Sequence, residues 1–155
     1  MILSGRDVEW YVANGLLTFL PILAPEQFQQ NGVDLILDES SPRQLAHGCF
    51  CLGRTRELVT LPNDLMAFVQ LRSTWARRGI MLPPTIVDAG FHGTLTLEIA
   101  AFGAKYPDDV RDYYTVDLPV GQRFVHLIFA KLTNPTTPYR GKYQGQVEIT
   151  GPIKD

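Results

Sequence analysis

The stretch Thr94-Leu95-Thr96-Leu97-Glu98-Ile99 alternates polar and apolar residues without a break, which commits it to a β-strand with one buried face. Leu95, Leu97 and Ile99 then point into a core, while Thr94, Thr96 and Glu98 point the other way. Strand signals recur at Cys49–Leu52, Glu57–Leu61, Met66–Leu71, Tyr113–Leu118 and Phe124–Leu132, punctuated by the turns Pro62-Asn63-Asp64 and Pro119-Val120-Gly121. Helix signals are few. Ser4-Gly5-Arg6-Asp7 forms a capping box ahead of a helix over Val8–Asn14, which Gly15 ends. An apolar run, Leu16–Leu23, leads to a turn over Gln29–Gly32. The strand Val33–Leu37 follows, interrupted by Asp34, and an Asp after Gly in a turn ordinarily bonds locally. Asp38–Arg43 and Gly103–Asp112 read as polar loops. Many short strands, regular turns and little helix predict an all-β barrel or sandwich, and 155 residues suit one domain with a real core.

With 45% hydrophobic and 19% charged residues and a net charge of -2, the chain has no basic stripe beyond Arg72, Arg77 and Arg78. Nucleic acid is therefore not the expected partner, and a small anionic ligand suits such local positive charge better. No stretch is long and apolar enough to span a membrane, and MILSGRDVEW lacks signal-peptide form, so the expectation is a cytoplasmic protein. His47, Cys49 and Cys51 would share one face of a strand. Three adjacent ligands from one strand make poor tetrahedral geometry, and the zinc-deaminase patterns H-x-E and P-C-x-x-C are missing. No metal centre and no zinc are expected, and the thiols should be buried and reduced.

Most of the polar chemistry lies in Leu71–Ala100. Arg72–Gly79 predicts one or two helical turns with Ser73 or Thr74 as N-cap and Gly79 as stop. Hydroxyls, backbone N–H groups and the cations Arg72 and Arg77 can hold phosphate there, although a capped surface helix with solvated arginines accounts for the same residues. Pro83-Pro84 forces an extended loop, and Thr85–Gly93 reads as strand, turn, strand. Glu98 is either solvated or aimed at a ligand. The tail Pro138–Gln146 reads as spacer, except that Tyr139 and Tyr143 flank Lys142.

Taken together, RSTWAR, the VDAGF-x-G that holds Asp88, the TLE ending at Glu98 and PYRGKYQGQ resemble, in order, the dCTP deaminase family of the deaminase and dUTPase superfamily; MILSGRD and NGVDL extend the resemblance over most of the chain. The resemblance implies a distorted jelly roll over residues 1–155, with 138–155 an arm that closes over the nucleotide, and a homotrimer with sites at subunit interfaces. It implies hydrolysis of dCTP to dUTP and ammonia without zinc, with Glu98 as base and later acid and with Arg77 and Ser73 in the catalytic group. Arg72, Ser73, Thr74, Trp75, Ala76, Arg77, Asp88, Thr96, Leu97, Glu98, Tyr139, Lys142 and Gln146 would contact substrate, Asp88 through the sugar 3′-hydroxyl. Mg²⁺ would come with the triphosphate, and dTTP is a candidate inhibitor. Asp88 beside Glu98 equally suits a bifunctional enzyme giving dUMP and pyrophosphate; a dUTP diphosphatase or an idle dNTP-binding trimer are the other readings. Two departures stand out: the loop from Gly79 to Asp88 is shortened around Pro83-Pro84, and His126 replaces a Gln common beside the nucleotide.

Overall fold

In a computed structural model, which describes residues 1–102 and 115–154, the alternating segments build sheets that pack on one shared core. Eleven strands are described: β1 Thr18–Leu20, β2 Phe28–Gln29, β3 Gly32–Ile36, β4 Gln44–Ala46, β5 Phe50–Thr60, β6 Leu65–Leu71, β7 Ile80–Met81, β8 Thr85–Val87, β9 His92–Ala101, β10 Thr115–Asp117 and β11 Arg123–Lys131. The helices are α1 Gly5–Ala13 and α2 Ser73–Ala76, with a 3₁₀ turn at Pro25–Gln27. One sheet runs β1-β5-β9-β7, a second runs β2-β3-β11-β6-β8, and β10 pairs with β4. The class is mainly β, as expected. The polar loop expected at Gly103–Asp112 and the start of the Tyr113–Leu118 strand lie outside the described residues.

Each sheet faces the core with the residues its alternation assigns. Val125, Leu127 and Phe129 of β11 and Leu65, Ala67 and Val69 of β6 meet Val59 of β5 and Leu95, Leu97 and Ile99 of β9 in one apolar cluster. Burial of such side chains, about 1.5–3 kcal/mol each, supplies the driving force. The helix α1 forms as its capping box dictates: Ser4 Oγ accepts from Asp7 N, and the Asp7 carboxylate accepts from Ser4 N at 2.8 Å.

Two expectations about strands need correction. Cys49–Leu52 and Glu57–Leu61 are not separate strands but parts of the single strand β5. The polar Arg54-Thr55-Arg56 sits inside it at a register shift against β9. Thr55 explains why the strand continues: its hydroxyl donates to Glu57 O at 2.9 Å and accepts from Leu95 N at 3.0 Å, so the bulge leaves its backbone groups partnered. Nor do His47, Cys49 and Cys51 share a strand face. Gly48 turns at φ 74° and Cys49 N bonds Ala46 O, so β5 begins only at Phe50. Cys49 is exposed rather than buried, and burial pushes up the thiol of half-buried Cys51.

The buried acid Glu57 accepts from Gln27 Nε2 at 2.7 Å and from Ile36 N at 2.9 Å. Burial nonetheless pushes its carboxyl above the usual range, against the pull of those two donors. It joins the 3₁₀ turn, β3 and β5 inside the protein.

Candidate active site

Beyond β11 the chain does not run free as spacer. It returns along β9 as a strap: Tyr139 N donates to Ala89 O at 2.8 Å, Gly145 N to His92 O at 2.7 Å, and Thr94 N to Gln146 O at 2.8 Å. Gln146 Nε2 adds a bond to Thr94 O at 2.8 Å, Thr150 N reaches Thr96 Oγ1 at 3.2 Å, and the Tyr139 ring packs on Phe91 with centroids 5.9 Å apart. Two glycines make room for this approach. A Cβ on Gly90 (φ 77°) would stand 2.5 Å from Pro138 Cβ, and one on Gly93 (φ 153°) would stand 2.7 Å from Gln146 O.

Between the strap and the sheet edges lies a cavity of about 530 Å³. It gathers Asp88, Thr96, Glu98, Tyr139 and Gln146, with Thr85 beside them. Thr96 and Glu98 alternate with core-facing Leu95, Leu97 and Ile99, so they lie on the face of β9 turned from the core. The floor is apolar, from Val69, Val87 and Phe91. A planar ring can stack on such a floor while a half-buried carboxylate reaches its edge.

Arg54 secures the strap, and no local sequence signal marks it. Its Nε and Nη2 donate to Asp38 Oδ1 at 3.1 and 3.0 Å, Nη1 donates to Val147 O, and Glu148 stands 3.7 Å away. Burial favours the neutral form of Asp38, but hydrogen bonds from Ser40 and the Arg54 guanidinium outweigh it and hold the carboxyl below its usual range.

A second cavity, of about 310 Å³, is lined by Arg72, Ser73, Thr74, Asp34, Gln70 and His126 among others. The expected N-cap is corrected here: Arg72, not Ser73 or Thr74, caps α2, and no side chain bonds the cap. The turn is held from outside itself. Arg72 N donates to Phe124 O at 3.1 Å and the indole of buried Trp75 donates to Arg123 O at 2.8 Å, so the Ser73 and Thr74 hydroxyls are not needed as caps. Asp34 is also corrected. Instead of bonding locally it is 1% exposed and meets three side chains from distant parts of the chain: Arg72 Nε at 3.0 Å, Arg123 Nη1 at 3.5 Å and His126 Nδ1 at 2.9 Å.

The two cavities share no residue. Gln70 and His126 alternate with core-facing Val69, Val125 and Leu127, so the second cavity opens on the outward face of the β2-β3-β11-β6-β8 sheet, whereas Val69 and Val87 of that sheet line the first. One chain therefore holds Glu98 and Asp88 apart from Arg72, Ser73 and Thr74. Of the remaining expected contacts, Trp75 and Leu97 are buried, Ala76 and Arg77 are exposed, and none of the four lines either cavity. Lys142 lines neither and donates from Nζ to Ile153 O at 2.7 Å. Among the described residues no three His, Cys, Asp or Glu side chains converge to hold a metal ion.

Residues 37–132 match the model of a family described as dCTP deaminase-like. The protein of Hyperthermus butylicus named "dCTP deaminase" is 40% identical, with 100% of each chain covered. A protein of Sulfolobus islandicus rod-shaped virus 1 named "Probable deoxyuridine 5'-triphosphate nucleotidohydrolase" is also 40% identical, with 97% of each covered. The solved structure of 2'-deoxycytidine 5'-triphosphate deaminase from Agrobacterium tumefaciens shares the fold at a TM-score of 0.62 and 20% identity, over 84% of this chain and 47% of that one. Full-length identity to named relatives and a family match over residues 37–132 place the chain: it belongs to the dCTP deaminase-like family.

Proposed function

We propose that the chain hydrolyses dCTP to dUTP and ammonia, with Glu98 as the group that moves the proton. The carrying observation is the half-buried Glu98 carboxylate beside Thr96 and Asp88, under a strap that can exclude water. Water adds to carbon 4 of the cytosine ring while Glu98 takes its proton. The same carboxyl delivers that proton to ring N3 and then carries the proton of the new C4 hydroxyl to the amino group, which leaves as ammonia as the carbonyl of uracil forms. A positioned acid/base of this kind is worth about a hundred- to ten-thousand-fold in rate, and water placement supplies the rest. Asp88 accepts from the sugar hydroxyl, and Tyr139 packs against the sugar.

The triphosphate belongs in the second cavity, with Arg72, Ser73 and Thr74. Because the two cavities share no residue within one chain, the site is assembled from two copies, as in a homotrimer with sites between subunits. Mg²⁺ would accompany the triphosphate as its counter-ion and would supply charge neutralisation beside Arg72, Ser73 and Thr74. The setting is the cytoplasm, and dTTP is a candidate inhibitor of the same pocket. A second reading, a bifunctional enzyme giving dUMP and pyrophosphate, is favoured by Asp88 in the same cavity as Glu98 and by the name of the viral relative.

Incubation with dCTP and Mg²⁺, with products resolved, separates the readings. dUTP alone supports the deaminase, dUMP with pyrophosphate the bifunctional enzyme, and turnover of dUTP but not dCTP overturns the proposal. Glu98→Gln should abolish ammonia release and keep nucleotide binding; near-full activity in that variant refutes the role of Glu98.

A further inference from the structure

Two side chains expected to contact substrate are taken up by the chain itself. Thr96 Oγ1 accepts from Thr150 N at 3.2 Å, and Lys142 Nζ donates to Ile153 O at 2.7 Å. Tyr143 holds the other side of the same residue, its hydroxyl accepting from Ile153 N at 3.4 Å. Between these contacts, Thr150, Gly151 and Pro152 line the cavity that holds Asp88 and Glu98. The grip is on main-chain atoms. Residues 151–154 are all exposed, so little apolar burial holds the segment down.

We propose that residues 150–153 are a self-ligand of the nucleotide site, seated while the site is empty and displaced when dCTP enters. The inference rests on the reading that this cavity takes the nucleoside and that Thr96 and Lys142 contact the substrate. Lys142 then has a better partner to move to. A phosphate oxygen carries the negative charge that the Ile153 carbonyl lacks, so it is the stronger acceptor for the ammonium. Thr96 is released with the segment, and Pro152, which has no N–H, adds no donor to hold it back. The strap itself stays seated through its bonds to Ala89, His92 and Thr94, so only the part beyond Ile149 has to swing out. A site that is open part of the time binds with its intrinsic affinity scaled by the open fraction. One such hydrogen bond favours the seated form by about two- to tenfold, so removing the segment tightens dCTP binding by about that factor.

The test uses the Glu98→Gln protein, which holds dCTP without turning it over, beside the same protein lacking residues 150–155. Calorimetry should give the shortened protein a dCTP Kd about two- to tenfold lower. In parallel, amide exchange at Thr150 and Ile153 of the longer protein, followed by NMR, should quicken when dCTP is added, a readout that stands even if the shortened protein misfolds. Equal or weaker binding by a folded shortened protein overturns the inference. So does slower or unchanged exchange at those two amides, since a segment that clamps the nucleotide would be protected by it rather than released. Either result leaves the proposed function standing. No dCTP binding by the longer protein removes the proposed function and this inference with it.

Discussion

Replacing Arg54 with Met removes a side chain that joins the body loop at Asp38 to the strap at Val147. The side chains of Arg54 and Asp38 are 19% and 14% exposed, so their bonds form largely out of water. A hydrogen bond to a charged group contributes about 1.5–3 kcal/mol. The two bonds to Asp38 converge on one oxygen that also accepts from Ser40 N and Oγ, so they do not add in full. Glu148, 79% exposed, contributes close to nothing. We expect Arg54→Met to cost about 2–3 kcal/mol, a melting shift of about 5–10 °C for a chain of this size. The loss should also depend on pH. Asp38 has a lowered folded pKa, so its contribution is present above its unfolded value and disappears as pH falls through the folded one. The gap between wild type and Arg54→Met should therefore close in acid. Thermal unfolding at matched protomer concentration, with Asp38→Asn and the double variant completing a cycle, measures the pair. Trypsin cleavage at Arg140 and Lys142 reports the strap. If Arg54→Met melts within a degree of wild type and its strap is cut no faster, Arg54 does not tie the two together.

Three further outcomes are expected. Mixing Glu98→Gln with Arg72→Gln, each inactive alone, should restore about a quarter of wild-type deamination if each site draws on two copies of a randomly mixed ring; no recovery denies the composite site. The raised folded pKa of Glu57 gives the wild type an advantage over Glu57→Gln that is present in acid and lost as pH rises through that value, so their melting difference should shift in that direction across a pH series; a constant difference contradicts it. Gly93→Ala should loosen the strap by about 1–3 kcal/mol, because the new methyl meets Gln146 O at a φ that alanine avoids, and faster tryptic cleavage with little change in melting is the expected signature.

What could be read from the chain alone was local. The alternation of β9, the capping box at Ser4 and Asp7 and the turn at Pro62–Asp64 each depend on neighbours in sequence, and each formed as expected. The resemblance carried by the central segment and the tail likewise marked Asp88, Thr96, Glu98, Tyr139 and Gln146, which one cavity gathers. The misses depend on partners far along the chain. Asp34 looked like a turn residue because His126 lies 92 residues away. Arg54 and Thr55 looked like a strand break because what they satisfy belongs to β9 and the strap. The capping of α2 was misassigned because Phe124 and Arg123, not its own hydroxyls, hold that turn.

The glycines at 90 and 93 reverse the usual assignment of which partner is specified. Much of the returning segment is gripped by main-chain atoms and by two vacancies in the body where side chains would otherwise stand. The strap's Gln144, Gln146 and Tyr139 side chains add to that grip, yet a single methyl on the body is enough to crowd its main chain. How tightly the entrance shuts is thus encoded partly in the body, at positions whose only contribution is the side chain they lack.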